Sequence, residues 1–322
     1  MIFQRRTVLQ HAAIAAATLA FGGTAHAQVR RSNVYGRIGL ELDGVFAGWV
    51  DSYQGGELVA EVVVQAADPT GVHKKHVANV AINDIVLTVG NWMSSAFYQW
   101  IQDTLSRRVP RRDGAILMFD TQLRLIGRLE FRRATLKEVD FPALDAASTD
   151  AAHFTVRIAP EATRMVKGDG STAPSLSSTG RLAWRASNYR IALDGVDTSS
   201  VSAIDGLAFG QTITTDVRGQ VVETDFQESD LLITQPGTGT LGPWIDDFLV
   251  QGNRLDANER SGSLTLLAPN LTDTLFTLSF GHLGVVGRLP NDPAAQTGNP
   301  IFTRVQLYME DMQFNFTPTW TA

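Results

Sequence analysis

The chain has no cysteine among its 322 residues. That absence removes a disulfide framework, a thiolate-held zinc, an iron–sulfur cluster and a thiol nucleophile, whatever the compartment. Long hydrophobic runs are missing as well. The run from Ala12 to Phe21 is mostly alanine and falls well short of the ~18 residues a spanning helix needs, and no later segment could cross a bilayer. Charge is sparse, at 19% of residues with a formal net charge of −6, which argues against a nucleic-acid surface. What the chain does have is core-forming material: 44% of residues are hydrophobic, and 28 glycines point to many turns and strands. Disorder, collagen, coiled coil and mucin-like stalk are excluded.

The opening Gln4-Arg5-Arg6-Thr7-Val8-Leu9 places an arginine pair before the short apolar run, and Ala25-His26-Ala27 then supplies a small-x-small cleavage site. Residues 1–27 are expected to be a signal peptide, of the twin-arginine type, with an ordinary Sec signal as the alternative. The mature protein is then periplasmic or extracellular and starts at Gln28.

Beyond the signal the sequence resembles itself. Leu40-Glu41-Leu42-Asp43-Gly44-Val45 returns as Ile191-Ala192-Leu193-Asp194-Gly195-Val196, displaced by 151 residues. Trp100-Ile101-Gln102-Asp103 returns as Trp244-Ile245-Asp246-Asp247, displaced by 144, and Val156-Arg157-Ile158 as Val305-Gln306-Leu307, displaced by 149. The displacements differ only by the length of a loop insertion. A Gly, Ser and Thr-rich connector over 168–182 separates the copies, so the expected domains are 28–167 and 183–322. In the first copy, Leu58–Val64, Ala81–Val89, Ala115–Phe119 and Phe154–Ile158 read as strands. Ser95–Leu105 sets Phe97, Trp100, Ile101 and Leu105 at helical spacing, and Gly242–Leu249 repeats that face with Pro243 suited to the first helical position. The fold class is therefore mainly β, with one short helix per copy.

The order of these pieces resembles the contractile-phage tail tube protein family, related to the inner tube protein of type VI secretion. The match runs from the strand ending Leu42-Asp43-Gly44-Val45, through the helix with Trp100 and Ile101 and the turn Arg111-Arg112-Asp113-Gly114, to Leu129-Glu130-Phe131. The resemblance implies two tandem β-barrel domains, each with a flanking helix, that stack with copies of themselves as hexameric rings in a hollow tube. With two domains per chain, three chains would complete a pseudo-hexamer, and sheath, baseplate or spike-like proteins would be further partners. Trp100, Ile101, Arg111, Arg112, Asp113, Gly114, Trp244 and Ile245 are the candidate architectural and assembly residues. In the second copy the arginine pair gives way to Asn258-Glu259-Arg260-Ser261-Gly262.

The copies also differ in charge. Residues 28–167 hold 17 Lys and Arg against 16 Asp and Glu, whereas residues 168–322 hold 8 against 17. Alternating them around a ring would favour correct order. The competing reading leaves Arg107, Arg108, Arg111, Arg112, Arg132 and Arg133 as solvated surface charges.

Catalytic signals are weak. Gly237-Thr238-Gly239-Thr240-Leu241-Gly242 fits a dinucleotide fingerprint by spelling, but no strand–helix alternation surrounds it, so it reads as a turn into a helix. His73-Lys74-Lys75-His76 reads as a solvated loop and not a metal site. His153 and His282 lack recognisable partner spacing, and there is no Gly-x-Ser-x-Gly elbow. No catalytic residue, cofactor ligand or metal ligand is assigned, and the protein is expected not to be an enzyme. The alternatives are a monomeric periplasmic or secreted two-domain β module that binds a glycan or protein and, behind it, a hydrolase.

Overall fold

The computed structural model describes residues 36–316 apart from 67–70, 72, 91–92, 109, 175–183, 216–220, 238 and 291–301. The expected signal peptide and residues 175–182 of the expected connector lie outside the described residues.

The first half runs β1 (Arg37–Leu42), β2 (Val45–Val50), β3 (Ser52–Gln54), β4 (Leu58–Val64), β5 (Lys75–Ile82), β6 (Ile85–Val89), α1 (Ser95–Leu105), β7 (Arg112–Phe119), β8 (Leu125–Asp140), β9 (Leu144–Asp145), β10 (Phe154–Ala159) and β11 (Ala162–Lys167). The second runs β12 (Tyr189–Leu193), β13 (Ala203–Ile204), β14 (Ala208–Thr215), β15 (Val221–Glu228), β16 (Leu231–Pro236), α2 (Gly242–Ile245) with a π-helical turn at Asp246–Val250, β17 (Arg260–Leu267), β18 (Thr274–Pro290), β19 (Phe302–Tyr308) and β20 (Asp311–Phe316).

The helical stripe expected over Ser95–Leu105 is buried as spaced, with Phe97, Trp100, Ile101 and Leu105 all in the core. The run Ala81–Val89, read as one strand, is two. Asn83 and Asp84 turn the chain between β5 and β6, and Asn83 is held by a hydrogen bond from its amide to Glu57 Oε1 at 2.7 Å.

Strand pairing follows one scheme twice. In the first half the order is β2-β1-β7-β8-β10-β6-β3, with β11 also on β8. In the second half it is β12-β17-β18-β19-β16-β13, with β20 also on β18. β4 pairs with β5, as β14 does with β15. The tight turn Asp43-Gly44, both residues at positive φ, closes β1 on β2, and Asp194-Gly195 sits at the matching place. The fold is mainly β with a short helix in each half, as expected, but the sheets are not closed barrels. β2 passes into β3 through Asp51 alone, and there the segment leaves β1 for β6 as its partner, with the Asp51 N–H donating to the Thr88 carbonyl at 2.9 Å. The helix packs beside this segment: Ser94 N–H donates to the Ala47 carbonyl on β2 at 2.7 Å, and the apolar face of α1 completes the core there.

The two halves are joined by strands. β14 of the second half pairs with the Glu138–Asp140 end of β8, and β9 of the first half pairs with β13. Strand pairing thus crosses the boundary expected at 168–182 in both directions. Residues 168–174 also return to the first half, where Gly170 N–H donates to the Leu125 carbonyl and Leu125 N–H to the Ser171 carbonyl. Aromatic rings fill the seam: Phe154 lies 4.8 Å from Trp184 and 5.3 Å from Phe276, and Phe141 lies 5.9 Å from Phe314. Tyr98 of α1 stacks on Phe316 of β20 at 4.5 Å.

Because one core spans both halves, calorimetry should show a single cooperative unfolding transition. Phe154→Ala, which empties the centre of the seam, should cost about 3–5 kcal/mol in denaturant unfolding. Two resolved transitions, with only one moved by the substitution, would contradict the shared core.

Candidate functional site

The residues singled out in the sequence fall into two structural groups. Trp100 and Ile101 are fully buried on α1, and the Trp100 indole N–H donates to the Pro110 carbonyl at 2.9 Å, which ties the helix to the approach of β7. Trp244 and Ile245 are buried at the matching place in α2, but the Trp244 indole N–H has no partner among the described residues.

The Arg111–Gly114 turn forms the second group. Arg112 pairs with Asp43 at 2.6 Å, and Asp113 accepts the Arg133 N–H at 2.7 Å while its carbonyl accepts the Asp43 N–H at 2.8 Å. Gly114 is required by close approach: a Cβ there would lie 2.2 Å from the Glu41 carbonyl oxygen and 2.5 Å from the Phe131 ring. Gly262 faces Leu193 as Gly114 faces Leu42, and its added Cβ would lie 2.8 Å from the Ala192 carbonyl oxygen. The turn binds the β1–β2 hairpin to β7 and β8 inside the chain.

Sequence reasoning missed a three-residue cluster beside this turn. Glu161 is gripped by Arg111 at 3.2 Å and by Arg133 at 2.7 Å. Glu259, His282 and Glu310 occupy the corresponding places in the second half, with Arg133 and His282 both at positive φ on the bend of the long strand. Two cations and one carboxylate in the first half stand where the second has one imidazole and two carboxylates. Aligning the halves at 149 residues was the signal that could have found them. The side-chain ligand atoms of Glu259, His282 and Glu310 lie within 4.8 Å of one another, a set whose chemistry suits a cation. Two of the three are already engaged within the protein. His282 Nδ1 is 2.9 Å from Glu259, and the Tyr308 hydroxyl donates to the same carboxylate. Burial, reinforced by that hydrogen bond, pushes the Tyr308 hydroxyl up to about 12.

The other sequence motifs are placed as follows. Gly237 and Gly239 adopt positive φ in the approach to α2, and the Leu241 N–H there points to the Gln235 side chain. His76 lies on β5 and not in a loop, and His73 is exposed. His153 meets Asp51 at 3.0 Å. Among the described residues no helix is long and apolar enough to cross a membrane.

The largest difference between the halves is the fate of one hairpin. The β14–β15 hairpin is docked: Phe209 is 1% exposed, the Gln211 amide donates to the Leu136 carbonyl, and Arg107 beyond α1 lies 4.7 Å over Phe226 and 3.6 Å from Glu228. Its counterpart β4–β5 touches water on both faces, with Leu58 62% exposed and Val59, Val62, Val63, Val77 and Val80 also exposed. Monomeric proteins rarely leave such an apolar ribbon unpaired.

Residues 54–164 match the family model of the T4-like virus tail tube protein gp19, so the stretch from β3 to β11 is tail tube-like. No curated protein matches the chain. Among solved structures, the anti-feeding prophage cap that terminates the AFP tube is 17% identical with a TM-score of 0.39, covering 45% of this chain and 97% of its own. The PVC sheath-tube complex of an extracellular contractile injection system is 17% identical with a TM-score of 0.38, covering 45% and 99%. Hcp1 from Flavobacterium johnsoniae is 17% identical with a TM-score of 0.29, covering 40% and 95%.

The hydrogen bond to Glu259, with Glu310 and Asp256 adding negative charge, raises the His282 imidazolium above its ordinary value. A two-dimensional NMR titration should therefore place His282 above the usual ~6.5, and Glu259→Gln should return it toward that value. The pair's contribution to stability is complete below the unfolded-state value and fades as pH rises through the folded one.

Proposed function

We propose that this chain, tail tube-like over residues 54–164, is a structural protein that assembles with copies of itself, head to tail, into rings. In this reading one ancestral unit was duplicated within the polypeptide. The observation that carries it is the repeated pairing scheme, in which the second unit's hairpin β14–β15 lies as an added strand on β8 of the first. A contact between unlike surfaces of like units has no reason to stop after two. It continues until the rotation closes a ring or a filament grows.

If six units complete a ring, as in the tube family, three chains supply them and the product is a pseudo-hexamer. Joining two units raises their mutual effective concentration to the order of millimolar, so a ring needs fewer free encounters. Rings that stack would make a tube, for which sheath, baseplate or spike-like proteins are natural partners. The reading assigns no catalytic residue, cofactor or metal. The arginine pair and cleavage site at the start support export before assembly, through a translocon that accepts folded protein.

Two experiments test the reading. The chain from Gln28 onward, measured by light scattering and negative-stain microscopy, should give ring-shaped particles of three chains; a particle that stays monomeric at high concentration overturns ring assembly. Replacing Arg5 and Arg6 by lysine should leave unprocessed chain in the cytoplasm. Continued export of that variant would assign the signal to the Sec route.

A further inference from the structure

We infer that the exposed hairpin β4–β5 is the donor arm of the contact between chains, and that it adds as a strand to the open edge of β18 in a second copy. The inference rests on the ring reading above and specifies which backbone segments make the ring. Its basis is a docking already completed once inside the molecule.

The long strand β8 is paired on both edges along most of its length. On one side β10 and β11 follow one another, from Thr155 opposite Asp140 to Lys167 opposite Gly127. On the other side β7 covers Leu125–Ala134, and β14 then continues with Gly210, Phe209 and Ala208 opposite Glu138, Val139 and Asp140. Strand β18 repeats this with one vacancy. β19 and β20 follow one another on one side, and β17 covers the other side from Thr274 to Leu283. Beyond Leu283, among the described residues, no strand pairs on the β17 side. The stretch left open carries exposed Val286, Arg288 and Leu289.

The register of the missing pair follows from the ladders. Ile82 and Glu228 each stand three residues before the first residue of the next strand, Ile85 and Leu231. Leu58 pairs with Ile82 and Phe209 pairs with Glu228, so Leu58 corresponds to Phe209. Val139 pairs with Val156 on β10 as Arg288 pairs with Val305 on β19, so Arg288 corresponds to Val139. Phe209 faces Val139 within the chain; Leu58 therefore faces Arg288 of the next. Docking in this register would cover a ribbon of valines and satisfy backbone groups on two open edges.

A return contact follows from the same comparison. Inside the chain, the residues after α1 reach β15, where Arg107 covers Phe226. At the corresponding places between chains stand the end of the π-helical turn, with Val250 79% exposed, and Val80. The surface against which that turn would settle is the cleft of about 520 Å³ lined by Tyr53, Gly56, Leu58, Leu129, Thr163 and Met165. Apolar contact there replaces the ion pair of the internal seam. The contact between chains is nonetheless less aromatic than the seam: Phe154 corresponds to Thr303, Phe314 to Met165 and Phe316 to Lys167. Assembly should therefore depend on concentration.

The absence of native cysteine makes the test clean. Paired strand positions have Cα atoms close enough for a disulfide, so the Leu58→Cys, Arg288→Cys double variant, oxidised and run without reductant, should give covalent dimers and trimers. Each single variant should give none of these. Val80→Asp, at a position open to water in the lone chain, should weaken assembly about tenfold or more without moving the unfolding midpoint. Oligomers that form without the cross-link and tolerate Val80→Asp would overturn this assignment and leave the ring reading standing. Chains that do not associate at all would overturn both, and covalent ladders that run past three chains would keep the strand contact but exclude the three-chain ring.

Discussion

Backbone hydrogen bonding along one overlong strand in each half organises this molecule. A strand of sixteen residues such as β8 exposes two rows of amide and carbonyl groups, and every row must be paired or left to water. β7 is too short to cover one side of β8 and stops at the bend near Arg133, so the remainder demands a second partner. That partner comes from the other half of the chain. From this single requirement follow the bridging sheet and the aromatic seam beneath it.

Much of the local structure was legible in the sequence because it depends on near neighbours. The helix at Ser95–Leu105 shows its buried face by spacing alone, and the Asp43-Gly44 turn announces a tight hairpin. Self-similarity at displacements of 144 to 151 residues foreshadowed a repeated pairing scheme. The break at Asn83–Asp84 was hidden because apolar residues continue on both sides of it. Barrel closure could not be judged from periodicity, which reports which face of a strand is buried but not which strands meet. The docking of β14–β15 was invisible for the same reason: even where a strand such as Leu58–Val64 is legible, only tertiary pairing separates a covered one from an open one.

Of the candidate residues, Trp100, Ile101, Trp244 and Ile245 lie in the core, and Arg112, Asp113 and Gly114 knit turns together within the chain. An exposed apolar ribbon lies elsewhere, on valines of β4 and β5 that no motif marks. The halves also differ electrostatically on a similar strand order. Where Arg111 and Arg133 neutralise Glu161, the other half sets His282 between Glu259 and Glu310. This local reversal agrees in sign with the acidic excess of residues 168–322, and a ring alternating the two would present unlike charge from one unit to the next.

The aromatic seam has one more implication. Rings such as Phe154, Trp184 and Phe276 meet within a single polypeptide, so they are never shown to water by a folded chain awaiting a partner. Covalent continuity thus makes the seam interior from the moment the chain folds, free to carry greasy side chains, whereas Met165, at the place in the first half that matches buried Phe314, is 61% exposed. The contrast separates a joint sealed by folding from a surface that stays open to water.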